Sequence, residues 1–195
     1  MMMVELTSVP SAALPVDELS EHLRLSSGFP DDGSQDSRLE TCLRSAMAAI
    51  EARVGKVLIE RQFALTLVGW KNATSHEVSV APVSNVDSVK LIDREGAETL
   101  IDSARYMLRK DAHRPVVEAT TGRLPEPARS GSIEVIFTAG FGPDWADVPA
   151  DLQQGMLTLA AGFYETVDAT QHSMPADVVA IIEPYRQIRL RGGAA

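Results

Sequence analysis

Residues 37–68 read SRLETCLRSAMAAIEARVGKVLIERQFALTLV, and a change of period inside this stretch decides the fold class. Leu39, Leu43, Ala46, Ile50 and Val54 recur at steps of four, three, four and four. That spacing lines one face of an α-helix. Ser37 with Glu40 predicts a capping box at its start. Gly55 stands where the end of a helix favours glycine. Beyond it Phe63, Leu65 and Leu67 alternate with Ala64, Thr66 and Val68. A period of two is that of a strand with one buried face. One chain therefore makes a helix of about 18 residues, at 1.5 Å per residue, and then turns to sheet.

The sheet pattern continues downstream. Val78 and Val80 alternate before Pro82, and Val86, Val89 and Leu91 lead into the turn Asp93-Arg94-Glu95-Gly96. Thr99–Ile101 and Tyr106–Leu108 read as short return strands, and Val116–Glu118 and Ile133–Phe137 complete the set. Many short strands punctuated by turns predict an antiparallel β sub-domain over about residues 61–138. After Phe137 helix returns. Pro149 marks a start, with Leu152, Met156, Leu159, Ala160 and Phe163 as its apolar stripe. A last short helix runs from Pro175 through Val178, Ile181 and Ile182 until Pro184 disrupts it.

Upstream, Val16, Leu19 and Leu23 predict a helix from Pro15, with Asp17, Glu18 and Glu21 near its positive end. Residues 26–36 are a turn-rich linker, and residues 1–14 read as a flexible arm. The organisation expected is a single domain over 15–184, with helices at about 15–56 and 147–184, and a tail at 185–195. The fold class expected is α+β, a helical bundle with an inserted antiparallel β sub-domain.

Composition narrows function. The chain has 195 residues, 45% of them hydrophobic, and a formal net charge of -9. An acidic surface repels phosphate backbones, which argues against broad nucleic-acid binding. Cys42 is the only cysteine, so neither an intrachain disulfide nor a cysteine zinc site can form. Its place on the apolar helix face reads as a small buried hydrophobe. No apolar run approaches the roughly 20 residues that span a bilayer, and the start lacks the pattern of a signal peptide. A soluble cytoplasmic protein is expected.

Chemistry-bearing residues are scattered. His22, His76, His113 and His172 lie in four separate segments, with no pair at metal-ligating spacing. The carboxylate pairs Asp31-Asp32, Asp144/Asp147 and Asp147/Asp151 sit at loops and helix starts, where acids stabilise the helix dipole. No Gly-x-Ser-x-Gly nucleophile turn occurs. Phe137-Thr138-Ala139-Gly140-Phe141-Gly142-Pro143 is a glycine-containing strand-to-helix loop. Such loops can cradle phosphate, but the third glycine and the Lys-Ser/Thr of the nucleotide motifs are missing. A tight turn needing positive φ is the plainer reading. No catalytic residue, metal or cofactor is expected.

The segments FTAGFG (137–142), VPADLQQGMLTLAAGFYE (148–165) and MPADVVAIIEPYR (174–186) resemble the C-terminal half of phage head–tail connector proteins. These are the adaptor, or head-completion, subunits of tailed phages and of gene transfer agents. DDGSQDSRLETCLRSAMAAIEARVGKVLIERQF (31–63) resembles that family's opening, and APVSNVDSVKLIDREGAETLIDSARYML (81–108) resembles the β insertion of its longer members. The likeness covers about residues 15–187. It departs at Gly155, where a larger helix former is usual, and at 165–168, where a basic residue is usual after Tyr164-Glu165. The resemblance implies a homo-oligomeric ring, commonly dodecameric, below a portal protein, with a stopper or other tail component on its far side. DNA would pass through the channel without sequence-specific binding. The subunit would assemble in the cytoplasm and end in the particle. The docking residues expected are Tyr185, Arg186, Ile188, Arg189 and Arg191, since Tyr and Arg are the types that most often anchor interfaces. The alternatives are a stopper or tail terminator, or a small enzyme.

Overall fold

A computed structural model describes residues 1–25, 34–166 and 174–186. The chain is α+β and divides into two compact units. A β unit is made of residues 1–10 and 57–147, and a helical unit of residues 11–56 and 148–195.

In the β unit a five-stranded antiparallel sheet has the order β1 (Met2–Glu5), β2 (Arg61–Leu67), β8 (Ser132–Ala139), β4 (Val83–Ile92), β5 (Glu98–Leu100). A three-stranded antiparallel sheet has the order β3 (Ser75–Glu77), β7 (Val116–Ala119), β6 (Tyr106–Arg109). The central strand β8 alternates cleanly, with Ile133, Val135, Phe137 and Ala139 buried. Phe63 and Phe137, cross-strand partners, stack with ring centroids 5.6 Å apart. Such aromatic pairs add roughly 0.5–1.5 kcal/mol beyond their burial. Val83, Val89, Ile101, Tyr106, Val117 and Leu124 complete the core around them. In β4 two register shifts, at Val83/Asn85 and Val86/Ser88, break the alternation. This accounts for the half-exposed state of Val86.

Two sequence expectations change here. Residues 1–14, read as a flexible arm, instead supply β1, which runs antiparallel to β2 with Met3 opposite Leu65 and Val4 opposite Ala64. Met1–Val4 is an unbroken apolar run, so no alternation announces the strand. The partner edge creates it. The strand expected at Val78 and Val80 lies slightly earlier, at Ser75–Glu77, and the buried Val78 donates its N–H to the Pro115 carbonyl just outside it.

In the helical unit α1 (Val16–His22), α2 (Ser34–Val54), α3 (Ala150–Glu165) and α4 (Ala176–Ile182) pack together, with α3 against α1, α2 and α4. The α2 stripe Leu39, Leu43, Ala46, Ile50 and Val54 is wholly buried. Gly55 ends the helix at φ +69°, a conformation that costs glycine nothing. The capping box does not form. α2 begins at Ser34, and Glu40 instead accepts from Arg44 and from Ser11 (2.9 Å). Ser34, Gln35 and Asp36 carry no apolar signal that could have marked the extra turn. On α3, Leu152, Met156, Leu159 and Ala160 are buried, and Pro149 and Pro175 precede α3 and α4 as expected.

Candidate docking site

The groups that could carry chemistry are engaged in structure. In the loop after β8, Gly140 has φ +144° and packs against the Glu60 backbone so closely that a Cβ would overlap it. Its N–H donates to the Pro82 carbonyl (3.0 Å), and that of Phe141 to Leu58 (3.1 Å). The Gly142 carbonyl accepts from Glu60 (2.8 Å), and a Cβ at Gly142 would meet the Asp147 carboxylate. That carboxylate caps the Asp144 N–H at 3.0 Å. The Gly140, Phe141 and Asp144 donors are therefore already used, and the Asp147 carboxylate lies against the loop. The loop is a tight turn.

His76 is buried, and its Nδ1 accepts from the Lys71 N–H at 3.1 Å. The Trp70 ring meets it edge-on, with centroids 5.7 Å apart. Burial, then the nearby Lys71 charge, holds its pKa below the ordinary histidine range. His22 and His113 are exposed on other elements, and His172 lies outside the described residues. Among the described residues no three His, Cys, Asp or Glu side chains are grouped to hold a metal ion. Cys42 is buried, which pushes its thiol pKa up and away from nucleophilic use. Of the carboxylate pairs, Asp31-Asp32 is outside the described residues, and Asp147 and Asp151 serve as hydrogen-bond acceptors for backbone or side chain. An open cleft of about 320 Å³ in the β unit is lined by Trp70, Lys71, Asn72, Glu126 and Ser130 among others. Its Trp70 indole N–H is committed to the Pro125 carbonyl at 2.7 Å. No described helix is long and apolar enough to cross a membrane.

The expected docking segment begins on α4. Gly155 explains how α4 reaches α3: a Cβ there would lie 3.3 Å from Ile182 Cγ2 and 3.7 Å from Ile181 Cγ2. The departure from the family pattern at this position is thus a close helix approach. α4 runs on into a 3₁₀ turn, Glu183–Tyr185, with Pro184 inside it. Tyr185 is half-buried and donates its hydroxyl to Asp151 Oδ1 on α3 at 2.7 Å. Burial first, then this bond to a carboxylate, pushes its pKa up to about 12. Arg186 is exposed and pairs with Glu183 at 3.1 Å, while Arg53 reaches the other oxygen of that carboxylate at 3.8 Å. Surface pairs of this kind contribute about 0–1 kcal/mol and exchange easily.

Of the five residues expected to dock, Tyr185 and Arg186 are therefore held by the helical unit, and Ile188, Arg189 and Arg191 lie outside the described residues. Sequence reasoning names Asp151 as a helix-start acid but does not foresee it as the acceptor that holds Tyr185. The two stand 34 residues apart, and no local spacing marks the pair.

No protein-family model and no curated protein sequence matches the chain. Solved structures do. One described as the neck of an empty GTA particle computed with C6 symmetry is 43% identical, with 99% of both chains covered and a TM-score of 0.91. A chain of the virion of a native gene transfer agent (GTA) particle is 43% identical with a TM-score of 0.88. A chain of the neck of a native GTA particle computed with C12 symmetry is 40% identical with a TM-score of 0.86, and both again match over 99% of each chain. A likeness of that identity over essentially the full length means that this chain belongs to the gene transfer agent neck proteins, the head–tail connector family that its helices and strand-to-helix turn resemble.

Proposed function

We propose that the protein is a structural head–tail adaptor subunit, copies of which form a ring between the portal and the tail of a gene transfer agent or similar particle. The observation that carries this reading is the full-length likeness to chains of GTA particle necks computed with C6 and C12 symmetry. The helical unit acts as the adaptor bundle, and the β unit is the insertion that it carries. No catalysis is assigned, and the work done is binding and positioning. Portal docking uses the segment from Tyr185 to Arg191, with Tyr185 seated on Asp151 as its base. From there Arg186, Ile188, Arg189 and Arg191 engage carboxylates and an apolar pocket of the portal. A stopper or other tail component binds the opposite side. The net charge of -9 suits a channel through which DNA slides without adhering. The subunit assembles in the cytoplasm before it joins the particle.

The test is truncation before residue 187, which leaves Tyr185 and its bond to Asp151 in place. The truncated protein should melt like the full chain and yet be at least tenfold depleted from purified particles. Breaking one partner of a buried charge pair costs roughly 2–5 kcal/mol, which is ample for that loss. Normal recovery of a stable truncated chain would move docking to the helical body.

A further inference from the structure

The five-stranded sheet has two open edges, and they are built alike. At one edge, all four residues of β1 are exposed, on both faces of the strand. Met1, Met2, Met3, Val4 and Leu6 together form an apolar run, each at least 38% exposed. The strand is held by its ladder to β2, by the Glu5–Arg61 pair and by the Ser79 hydroxyl, which donates to Met3 Sδ at 3.6 Å. At the other edge, β5 is exposed at every position and carries Leu100 at 67% exposure. Proteins blunt open edges with short strands, proline, charge or bulges, and of these devices β1 and β5 use shortness, at four and three residues. Neither edge strand contains proline. Each has one carboxylate, and each is neutralised within the subunit: Glu5 by Arg61 at 3.0 Å, Glu98 by Lys90 at 2.8 Å.

Register connects the two edges. Leu100 is opposite Lys90, Lys90 opposite Glu134, Glu134 opposite Thr66, and Thr66 opposite Met2. Met2 and Leu100 therefore end a single cross-sheet row, on one face of the sheet. Four antiparallel steps separate β1 from β5, so the two edge strands run in the same direction. The backbone groups also face outward in register. Leu6 N–H donates to the Gln62 carbonyl, so by antiparallel alternation Met3 and Glu5 turn their N–H and C=O to the open side. Ile101 N–H donates to Val89 and Asp93 N–H to Ala97, so Glu98 and Leu100 do the same on β5.

A ring of cyclic symmetry joins copies through two different, complementary surfaces on each subunit. Opposite edges of one sheet, pointing the same way, meet that requirement. We propose that the open edge of β1 in one subunit pairs in parallel with the open edge of β5 in a second copy, which brings Met2 beside Leu100 and continues the sheet from subunit to subunit. This rests on the ring reading above and names the surface that closes it.

The experiment uses the full chain in assembled particles. Met2→Cys with Leu100→Cys should be joined by a short bismaleimide into a ladder of chain multiples. The wild-type chain is the blank, since its one thiol, Cys42, is buried. Met3→Pro and Leu100→Pro each delete an outward N–H and leave the inner ladder intact, a place where edge strands accept proline. Each should fold and fall at least tenfold in recovery from necks. Should a proline variant fail to fold, the ladder of the cysteine variant decides. No ladder from particles whose rings are visible by electron microscopy would overturn the edge pairing while leaving the ring intact. Wild-type particles without rings of this chain would overturn both readings.

Discussion

The β unit and the helical unit bury apolar side chains by different routes through the chain. The β unit is nearly continuous, with residues 57–147 joined by only the first ten. The helical unit is assembled from two stretches, 11–56 and 148–195, separated by residues 57–147 of the β unit. Within the β unit a seven-stranded run folds back on itself, and hydrogen-bonded ladders supply each strand's register. Within the helical unit α1 and α4 are only seven residues each. Helices that short do not persist alone, so packing on α2 and α3 holds them. The lesson is that backbone ladders join the distant strands of the β unit, such as β2 with β8, whereas side-chain packing joins the two stretches of the helical unit.

The largest blow to that comparison is a core truncation in each unit. Phe137→Ala empties the centre of the β unit and should cost about 3–5 kcal/mol, and Leu43→Ala in α2 about 2–5 kcal/mol. Calorimetry of both variants checks whether each unit melts by itself. If the two substitutions shift one shared transition equally, the units are a single cooperative block.

A smaller effect tests the α3–α4 approach. Gly155→Leu forces a side chain into the space held by Ile182 and should cost roughly 1–3 kcal/mol by overpacking. The β unit should keep its chemical shifts, while the signals of Val178 and Ile182 move. Unmoved α4 signals would refute the role given to the glycine.

Tyr185→Phe removes one hydroxyl and should cost about 0.5–1.5 kcal/mol, the net worth of an ordinary hydrogen bond. The raised pKa gives it a sign in alkali. The folded chain keeps the phenol proton up to about 12, whereas an unfolded tyrosine loses it near 10. Its stabilisation is therefore full below about 10 and is lost as pH rises towards 12. Melting temperatures through that window should fall for the native chain and less for Tyr185→Phe.

The mildest perturbation is acid acting on the β unit. His76 has a lowered folded pKa, so the unfolded chain takes up the proton first. Stability should be level above about 6.5 and decline as pH falls below it. The charge of Glu77, next to His76 on the strand, opposes the shift, while Lys71 reinforces it. His76→Gln should flatten this slope, and an unchanged slope would assign it to carboxylates elsewhere, Glu40 among them, whose pKa is lowered chiefly by Arg44 and then by Ser11.

Much of the architecture is legible from local pattern. The α2 stripe, the alternation of β8, the hairpin turn ending at Gly96 and the prolines before α3 and α4 all mark themselves within a few residues. The candidate docking site is legible only in part. The Tyr and Arg residues at 185–191 are visible as types, but the part of Asp151 in holding Tyr185 is not. The first turn of α2 and all of β1 were also hidden, one because its residues are polar and the other because its apolar run does not alternate.

Amino-acid sequence by itself determined the periods, the breaks between them and the residues at the breaks, because periodicity and turn chemistry act over neighbours along the chain. Tertiary structure alone decided that residues 2–5 become an edge strand, that Gly155 admits Ile182, and that Met2 and Leu100 end the same row of the sheet. Those outcomes join residues tens of positions apart, and no local preference specifies a contact whose partner is chosen by the folding of everything between.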